Sequence, residues 1–247
     1  MIEVDDFHKV FSDQVAVANL SFRLEPGQTL GLIGPNGAGK TTTLRALAGI
    51  LPASRGQLKV AGFDVEIDPM EAKSRLAFVP DEPPLFHDLT VIEHLDFYAS
   101  VYGVCDANPK SHDLLDQFDL VEKWHTAASD LSRGMRQKLA ICCAFLHDPQ
   151  VILLDEPLTG LDPRGIRCYK EALRNRAKDG AAIVVSSHLL AMVEDVCTHV
   201  MILEAGIQRF FGSLEQLRDS FGRQDGVASL EAIYFAATQD DLQLSAT

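Results

Sequence analysis

Two spacings of apolar residues divide this chain. Ala16-Val17-Ala18-Asn19-Leu20-Ser21-Phe22-Arg23-Leu24 alternates as a strand does and stops at the turn Glu25-Pro26-Gly27. Thr29-Leu30-Gly31-Leu32-Ile33 is a short apolar run, and residues 40–51 after it read as a helix. Residues 56–62 resemble a strand reaching a turn, and 75–80 a buried strand stopped by Pro80. From Thr90 the period lengthens. Val91, Ile92, Leu95, Tyr98, Val101 and Tyr102 fall on one helical face, Leu114, Leu115, Phe118 and Leu120 continue it, and 132–146 is helical again. Strands return at 151–155, 181–186 and 199–203, alternating with helix candidates at 163–178 and 189–197. This order predicts an α/β fold: a mostly parallel sheet with helices on both faces, interrupted by a helical subdomain at about 90–147. Beyond Gly212 the pattern weakens, with helix-like stretches at 214–218 and 230–235 around a polar break at 222–226.

Composition narrows the class without changing that outline. With 247 residues the chain can bury a sizeable core as one α/β domain with a subdomain, or as two small domains. No uninterrupted apolar stretch approaches the roughly 20 residues that span a bilayer. The start, Met1-Ile2-Glu3-Val4-Asp5-Asp6, is acidic where a secretory leader is basic, so a cytoplasmic location is expected. Five cysteines, an odd number with neither C-x-x-C nor Cys/His metal spacing, read as reduced thiols. A formal charge of −13 opposes a general nucleic-acid binder, and no nucleic-acid partner is expected.

Two motifs carry chemistry. Gly34-Pro35-Asn36-Gly37-Ala38-Gly39-Lys40-Thr41 satisfies G-x-x-x-x-G-K-[ST] between a strand and a helix, the context of a phosphate-binding loop. Glycines let backbone N–H groups turn onto phosphates, Lys40 can neutralise the β and γ oxygens, and the Thr41 hydroxyl can ligate Mg²⁺. The helix that follows aims its partly positive N-terminus at the same anion. Gly34 through Thr41, together with Thr42, are therefore candidate nucleotide contacts. Val151-Ile152-Leu153-Leu154-Asp155-Glu156 is an apolar strand ending in two carboxylates. Asp155 is placed to hold Mg²⁺, directly or through water, and Glu156 to orient or deprotonate a water attacking the γ-phosphate. Alone, two acids after a strand would read as a solvated turn.

Leu131-Ser132-Arg133-Gly134-Met135-Arg136-Gln137-Lys138 completes the set. Ser132 reads as a helix N-cap, and Gly134 lets backbone approach an anion. With the loop at 34–41 and the strand ending at Asp155, these residues resemble the signature of the ATP-binding cassette (ABC) ATPases, over about residues 11–212. The resemblance implies a P-loop NTPase core with an N-terminal antiparallel β subdomain and an inserted α-helical subdomain. It implies a single ABC ATPase domain over 1–247: a catalytic core at 1–89 and 148–212, the helical subdomain at 90–147, and a C-terminal helical extension at 213–247. ATP is then the substrate and Mg²⁺ the cofactor, and two ATP-binding subunits, alike or different, close head-to-tail over two nucleotides.

In such a pair Ser132 and Gly134 address the γ-phosphate held by the opposite subunit, Asp162 belongs to the D-loop that touches the partner, and His188 matches the switch histidine at the γ-phosphate. Phe11 matches the aromatic that stacks on adenine, and equally reads as a strand aromatic packed in the core. Two departures stand out. Arg133 and Met135 replace a glycine and the glutamine of the usual LSGGQ, and Asp81 stands where the family carries a glutamine. Asp81 thus joins Thr41 and Asp155 as a candidate metal residue, with a solvent-facing turn acid, or a shift of the role to Glu82, as alternatives. The resemblance leans to cassettes of ABC-2-type exporters. It implies an ATP-hydrolysing subunit that powers a separate transmembrane permease and sits through it at the inner face of the cell membrane. The other reading, a soluble ABC-type ATPase acting on nucleic acid or a macromolecular complex, lacks the coiled-coil or zinc-bearing insertions usual there.

Overall fold

The apolar runs become the centre of a ten-stranded sheet. The computed structural model describes residues 1–221 together with 230, 231 and 234. Among these the chain runs β1 (Ile2–Phe11), β2 (Gln14–Leu24), β3 (Thr29–Ile33), α1 (Lys40–Leu47), β4 (Arg55–Val60), β5 (Phe63–Asp64), α2 (Pro69–Ser74) and β6 (Leu76–Val79). It continues through α3 (Val91–Tyr102), α4 (Ala107–Gln117), α5 (Arg133–Phe145), β7 (Val151–Asp155), α6 (Pro163–Lys178), β8 (Ala182–Ser186), α7 (Leu190–Val196), β9 (His199–Glu204), β10 (Ile207–Ser213) and α8 (Leu214–Phe221). The sheet order is β5-β4-β1-β2-β10-β9-β3-β8-β7-β6. Strands β9, β3, β8, β7 and β6 pair parallel, whereas β5, β4, β1 and β2 form an antiparallel section. β10 joins the two sections, antiparallel to β9 and parallel to β2.

Every residue of β3, β7 and β8 is buried, as expected of parallel strands covered on both faces. Alternation within β7 shows both covers. Ile152 and Leu154 pack toward α3–α6, and Val151 and Leu153 toward α1 and the antiparallel section. The segment between β6 and β7 is helical because its apolar positions recur at helical spacing and its start is capped. Thr90 accepts from the Glu93 N–H, and the Glu93 carboxylate accepts from the Thr90 N–H at 2.7 Å. Gly103, at φ 65°, ends α3.

One helix end differs from expectation, two strands were not foreseen, and the C-terminal reading is covered in part. α1 stops at Leu47 rather than 51, because the chain turns at Gly49 with φ 62°. β1 was hidden because Asp6, at φ 47°, lies within a register shift between Val4 and Phe7, which breaks the two-residue alternation. β10 follows the two-residue turn Ala205-Gly206, both at positive φ, and is half-exposed with adjacent aromatics Phe210-Phe211 that break a two-residue period. At the C-terminus α8 matches the stretch from 214, while the polar break at 222–226 and residues 232, 233 and 235 lie outside the described residues. Leu230, Glu231 and Tyr234 are helical, and Leu230 is buried against the cluster that contains Val193 and Leu217.

Candidate nucleotide-binding site

The loop after β3 is seated on the β9–β10 hairpin. A Cβ at Gly34 would stand 2.1 Å from the Leu203 carbonyl oxygen, and one at Gly39, whose φ is 100°, would stand 2.8 Å from the Ala16 carbonyl oxygen. Only glycine permits either approach, so backbone packing as well as phosphate access demands these residues. Gly206 donates its N–H to the Ala38 carbonyl at 3.2 Å, which ties the loop to the hairpin tip. Gly39 caps α1, and Lys40 begins it. The Lys40 ammonium is buried and donates to the carbonyls of Gly34 (2.7 Å) and Pro35 (3.1 Å). Burial lowers its pKa, opposed by the charges of Glu156 and Asp155.

A cleft of about 290 Å³ opens over this loop, lined by Asn36, Gly37, Ala38, Gly39, Lys40, Thr41 and Thr42, with Ala16, Asp81, Asp155 and Glu156 completing the wall. Asp155 ends β7 opposite Ser186 of β8, is buried, and accepts from the Ser186 hydroxyl. Glu156 follows at φ 46°, a left-handed conformation costly for a glutamate. Its N–H is held by both the carbonyl (3.1 Å) and the hydroxyl (3.2 Å) of Ser186. Glu156 Oε2 lies 2.8 Å from His188 Nδ1. An ionised carboxylate only accepts, so His188 carries its proton on Nδ1 in this pair. His188 is otherwise exposed.

The donor set suits Mg²⁺. Thr41, Asp155 and Asp81 present hard oxygens to one cleft, and Ser186 orients Asp155 from behind. Among the described residues there is no cluster of three or more His, Cys, Asp or Glu able to cage a metal by itself. Mg²⁺ typically takes one or two carboxylates together with substrate phosphates and water, so this is the expected pattern.

Ser132, Gly134 and Asp162 do not line that cleft. They form a second face. Ser132 caps α5, accepting from the Met135 N–H at 3.3 Å, and Asp162 caps α6 ahead of Pro163, accepting from the Gly165 N–H at 2.9 Å. The two helix starts touch, because a Cβ on Gly134 would stand 2.5 Å from the Gly160 carbonyl oxygen and 3.9 Å from Leu161 Cα. Phe11 lies at the β1–β2 turn, 45% exposed and therefore not a core aromatic, with Lys9 Nζ 5.0 Å from its ring centroid. It does not line the phosphate cleft.

Sequence reasoning missed Ser186 and Gly160. Ser186 showed only as the last residue of a strand, and its pairing opposite Asp155 appears once β7 and β8 are neighbours. Gly160 showed only as the residue before the Leu161-Asp162 stretch. Asp81 and Arg133, two of the three departures from the family pattern, form an ion pair with Oδ1 and Nη2 3.6 Å apart.

Residues 17–159 match the family model described as ABC transporter. The ABC-type transporter ATP-binding protein EcsA of Bacillus subtilis is 35% identical over 243 residues, covering 98% of each chain. The Nod factor export ATP-binding protein I of Cupriavidus metallidurans is 34% identical across 89% of this chain and 73% of its own. Among solved structures, an ATP-binding subunit of an ABC transporter superposes with a TM-score of 0.92 at 33% identity, over 97% of this chain and all of the other.

Proposed function

The chain belongs to the ABC transporter family, as its ATP-binding and ATP-hydrolysing subunit, and from that premise we propose how its residues divide the work. The phosphate cleft binds Mg-ATP: backbone N–H groups of 36–42 and the start of α1 take the phosphates, and Lys40 leaves the loop carbonyls for the β and γ oxygens. Mg²⁺, held by Thr41 and Asp155 with Asp81 at the cleft wall, would neutralise phosphate charge. Glu156 accepts the proton of the attacking water as the water oxygen bonds to the γ-phosphorus and the bond to the β–γ bridging oxygen breaks. His188 keeps the Glu156 carboxylate aimed at that end of the cleft. Phe11 supplies an exposed ring for the adenine.

The observation that carries a paired mechanism is the separation of the two faces. Ser132, Gly134 and Asp162 stand together and none of them lines this chain's own cleft, which favours an α5 N-terminus reaching a γ-phosphate from a second ATP-binding subunit. ATP is then held between subunits, and its preference for the closed pair drives the switch. Among the described residues no helix is long and apolar enough to cross a membrane, and the work is delivered to a separate permease, with this subunit at the inner membrane face. Export is the favoured direction, since one relative is named for Nod factor export. We read the whole chain as one ATPase domain, with 90–147 as the helical subdomain, 1–89 and 148–212 as the core, and 213–247 as an extension.

Glu156→Gln tests this reading. It keeps the phosphate contacts and removes the proton acceptor, so turnover should fall by a factor on the order of 10² or more while ATP still binds. Sedimentation with Mg-ATP should then find a trapped pair. Bound nucleotide with only single chains, even when the permease is supplied, would end the paired mechanism.

A further inference from the structure

Three acids, Asp81, Asp155 and Glu156, share the lining of the phosphate cleft with one cation, Lys40. A triphosphate entering it meets a surplus of negative charge. Asp155 is engaged by Ser186 and Glu156 by His188. Asp81 differs, since its Oδ1 is shielded from solvent and accepts no hydrogen bond among the described residues. Its charge is met by Arg133 Nη2, 3.6 Å away.

Arg133 is an unfavourable choice for its own helix. It is the first residue of α5, where the helix dipole favours an anion and disfavours a cation. Its stem lies over Gly160, where a Cβ would stand 3.3 Å from both Arg133 Cγ and Cδ. The stem rests on the 157–162 turn and the head faces Asp81. Helix stability does not account for this placement, and the charge of the cleft does. Of the three positions where the chain departs from the ABC pattern, two, an acid for an amide and an arginine for a glycine, are the ends of one ion pair.

We propose that Arg133 is a positioning residue for the phosphate cleft of its own chain, holding the Asp81 carboxylate and offsetting its charge so that this acid does not repel the incoming triphosphate. This rests on the reading of the cleft as the Mg-ATP site. Its consequence is separate from any contact Arg133 makes with a partner, because it acts in a single chain through Asp81.

Both ends are about half-exposed, so the effect is screened. Loss of Arg133 should weaken nucleotide affinity by a factor of about 2–5 at low ionic strength. At about 1 M salt, where the Debye length is about 3 Å, the loss should nearly vanish. The experiment is Mg-ATP titration of the purified chain carrying Arg133→Gln, Arg133→Lys, Asp81→Asn, or Arg133→Gln with Asp81→Asn. Arg133→Gln should show the salt-sensitive loss, Arg133→Lys should recover most of it, and Arg133→Gln should have no further effect when Asp81→Asn is already in place. An equal loss with and without the Asp81→Asn change, or no loss in either case, would overturn the proposal. Lys40→Ala is the control for the underlying reading. If it binds Mg-ATP as tightly as the parent chain, the site assignment fails, whatever the Arg133 variants do.

Discussion

Gly134→Ala adds one methyl group where α5 meets the turn that carries Gly160. The new Cβ would stand 2.5 Å from the Gly160 carbonyl oxygen. A carbon–oxygen contact relaxes at about 3.3 Å, so α5 or the turn must give by about 0.8 Å. Overpacking of this kind costs about 1–3 kcal/mol, and the better helix propensity of alanine returns up to about 1 kcal/mol. The net is a loss of up to about 3 kcal/mol, which for a chain of this length lowers the Tm by up to about 12 °C. The functional effect should exceed the thermal one. A displacement near 1 Å between a catalytic group and its target can cost as much as about 10²-fold in rate, so permease-coupled ATPase activity should fall by about 10–10²-fold. Mg-ATP affinity of the single chain should stay within a factor of about three, an allowance below the tenfold that 1.4 kcal/mol represents, because the cleft residues are untouched. Thermal unfolding, nucleotide titration and ATPase assays on the same preparation separate these effects. Parental Tm and ATPase together would refute the close packing of Gly134 on Gly160. Equal losses of binding and turnover would refute the separation of the two faces.

Two further predictions concern stability. Tyr169 is fully buried and its hydroxyl has no hydrogen-bond partner among the described residues, a burial that also pushes its pKa well up. Tyr169→Phe should therefore stabilise the chain, by about 1–3 kcal/mol in denaturant unfolding, and a lower midpoint would show that the hydroxyl is paired. Asp148 accepts from Lys110 and Arg176; burial tends to raise its pKa, but hydrogen bonds and charge from those two residues outweigh it, and the pKa is lowered. Its stabilising effect is thus present above the unfolded carboxyl pKa of about 3.9 and lost as pH falls through the lower folded value. Asparagine tolerates the φ of 49° at this position, so Asp148→Asn isolates the charge. The variant should lose about 0.3–1 kcal/mol at pH 7 after screening, with the difference closing as pH falls below the ordinary carboxylate range. A difference independent of pH would exclude the ion pairs as its cause.

The fold was most legible where one element dictates its own pattern. The 151–155 and 163–178 segments match β7 and α6 in full, because the first is buried on both faces and the second carries a strong apolar stripe behind an Asp-Pro start. β1 was illegible because Asp5 and Asp6 fall at a bulge, and β10 because its pairing, not its composition, makes it a strand. For the site, residue types that do chemistry were visible as motifs, whereas residues that hold them were not. Nothing about a serine at 186 announces that it grips both Asp155 and the Glu156 N–H. Nor does Arg133 in isolation point to Asp81, 52 positions earlier in the sequence. Such relations exist only after the sheet has brought distant segments together.

The sheet order explains which relations those are. β3, β8, β7 and β6 are consecutive neighbours and run parallel, so their carboxyl ends emerge on one edge. The segments leaving that edge begin at Gly34, Ser187, Glu156 and Pro80, which delivers Lys40, His188, Glu156 and Asp81 to one cleft mouth although they span some 150 residues of chain. Any parallel sheet in this order would do the same, as ligands of such sheets gather at the carboxyl ends of the strands. Ser132 and Gly134 follow no strand. They start a helix of the segment inserted between β6 and β7, so their position is set by how that insert packs on the 157–162 turn, through Gly134 against Gly160 and Arg133 against Asp81. The cleft is thus a property of the sheet, while the second face depends on a packing contact that can shift without unfolding the cleft. In the proposed pair, that difference would let one chain hold its nucleotide while the face offered to a partner moves.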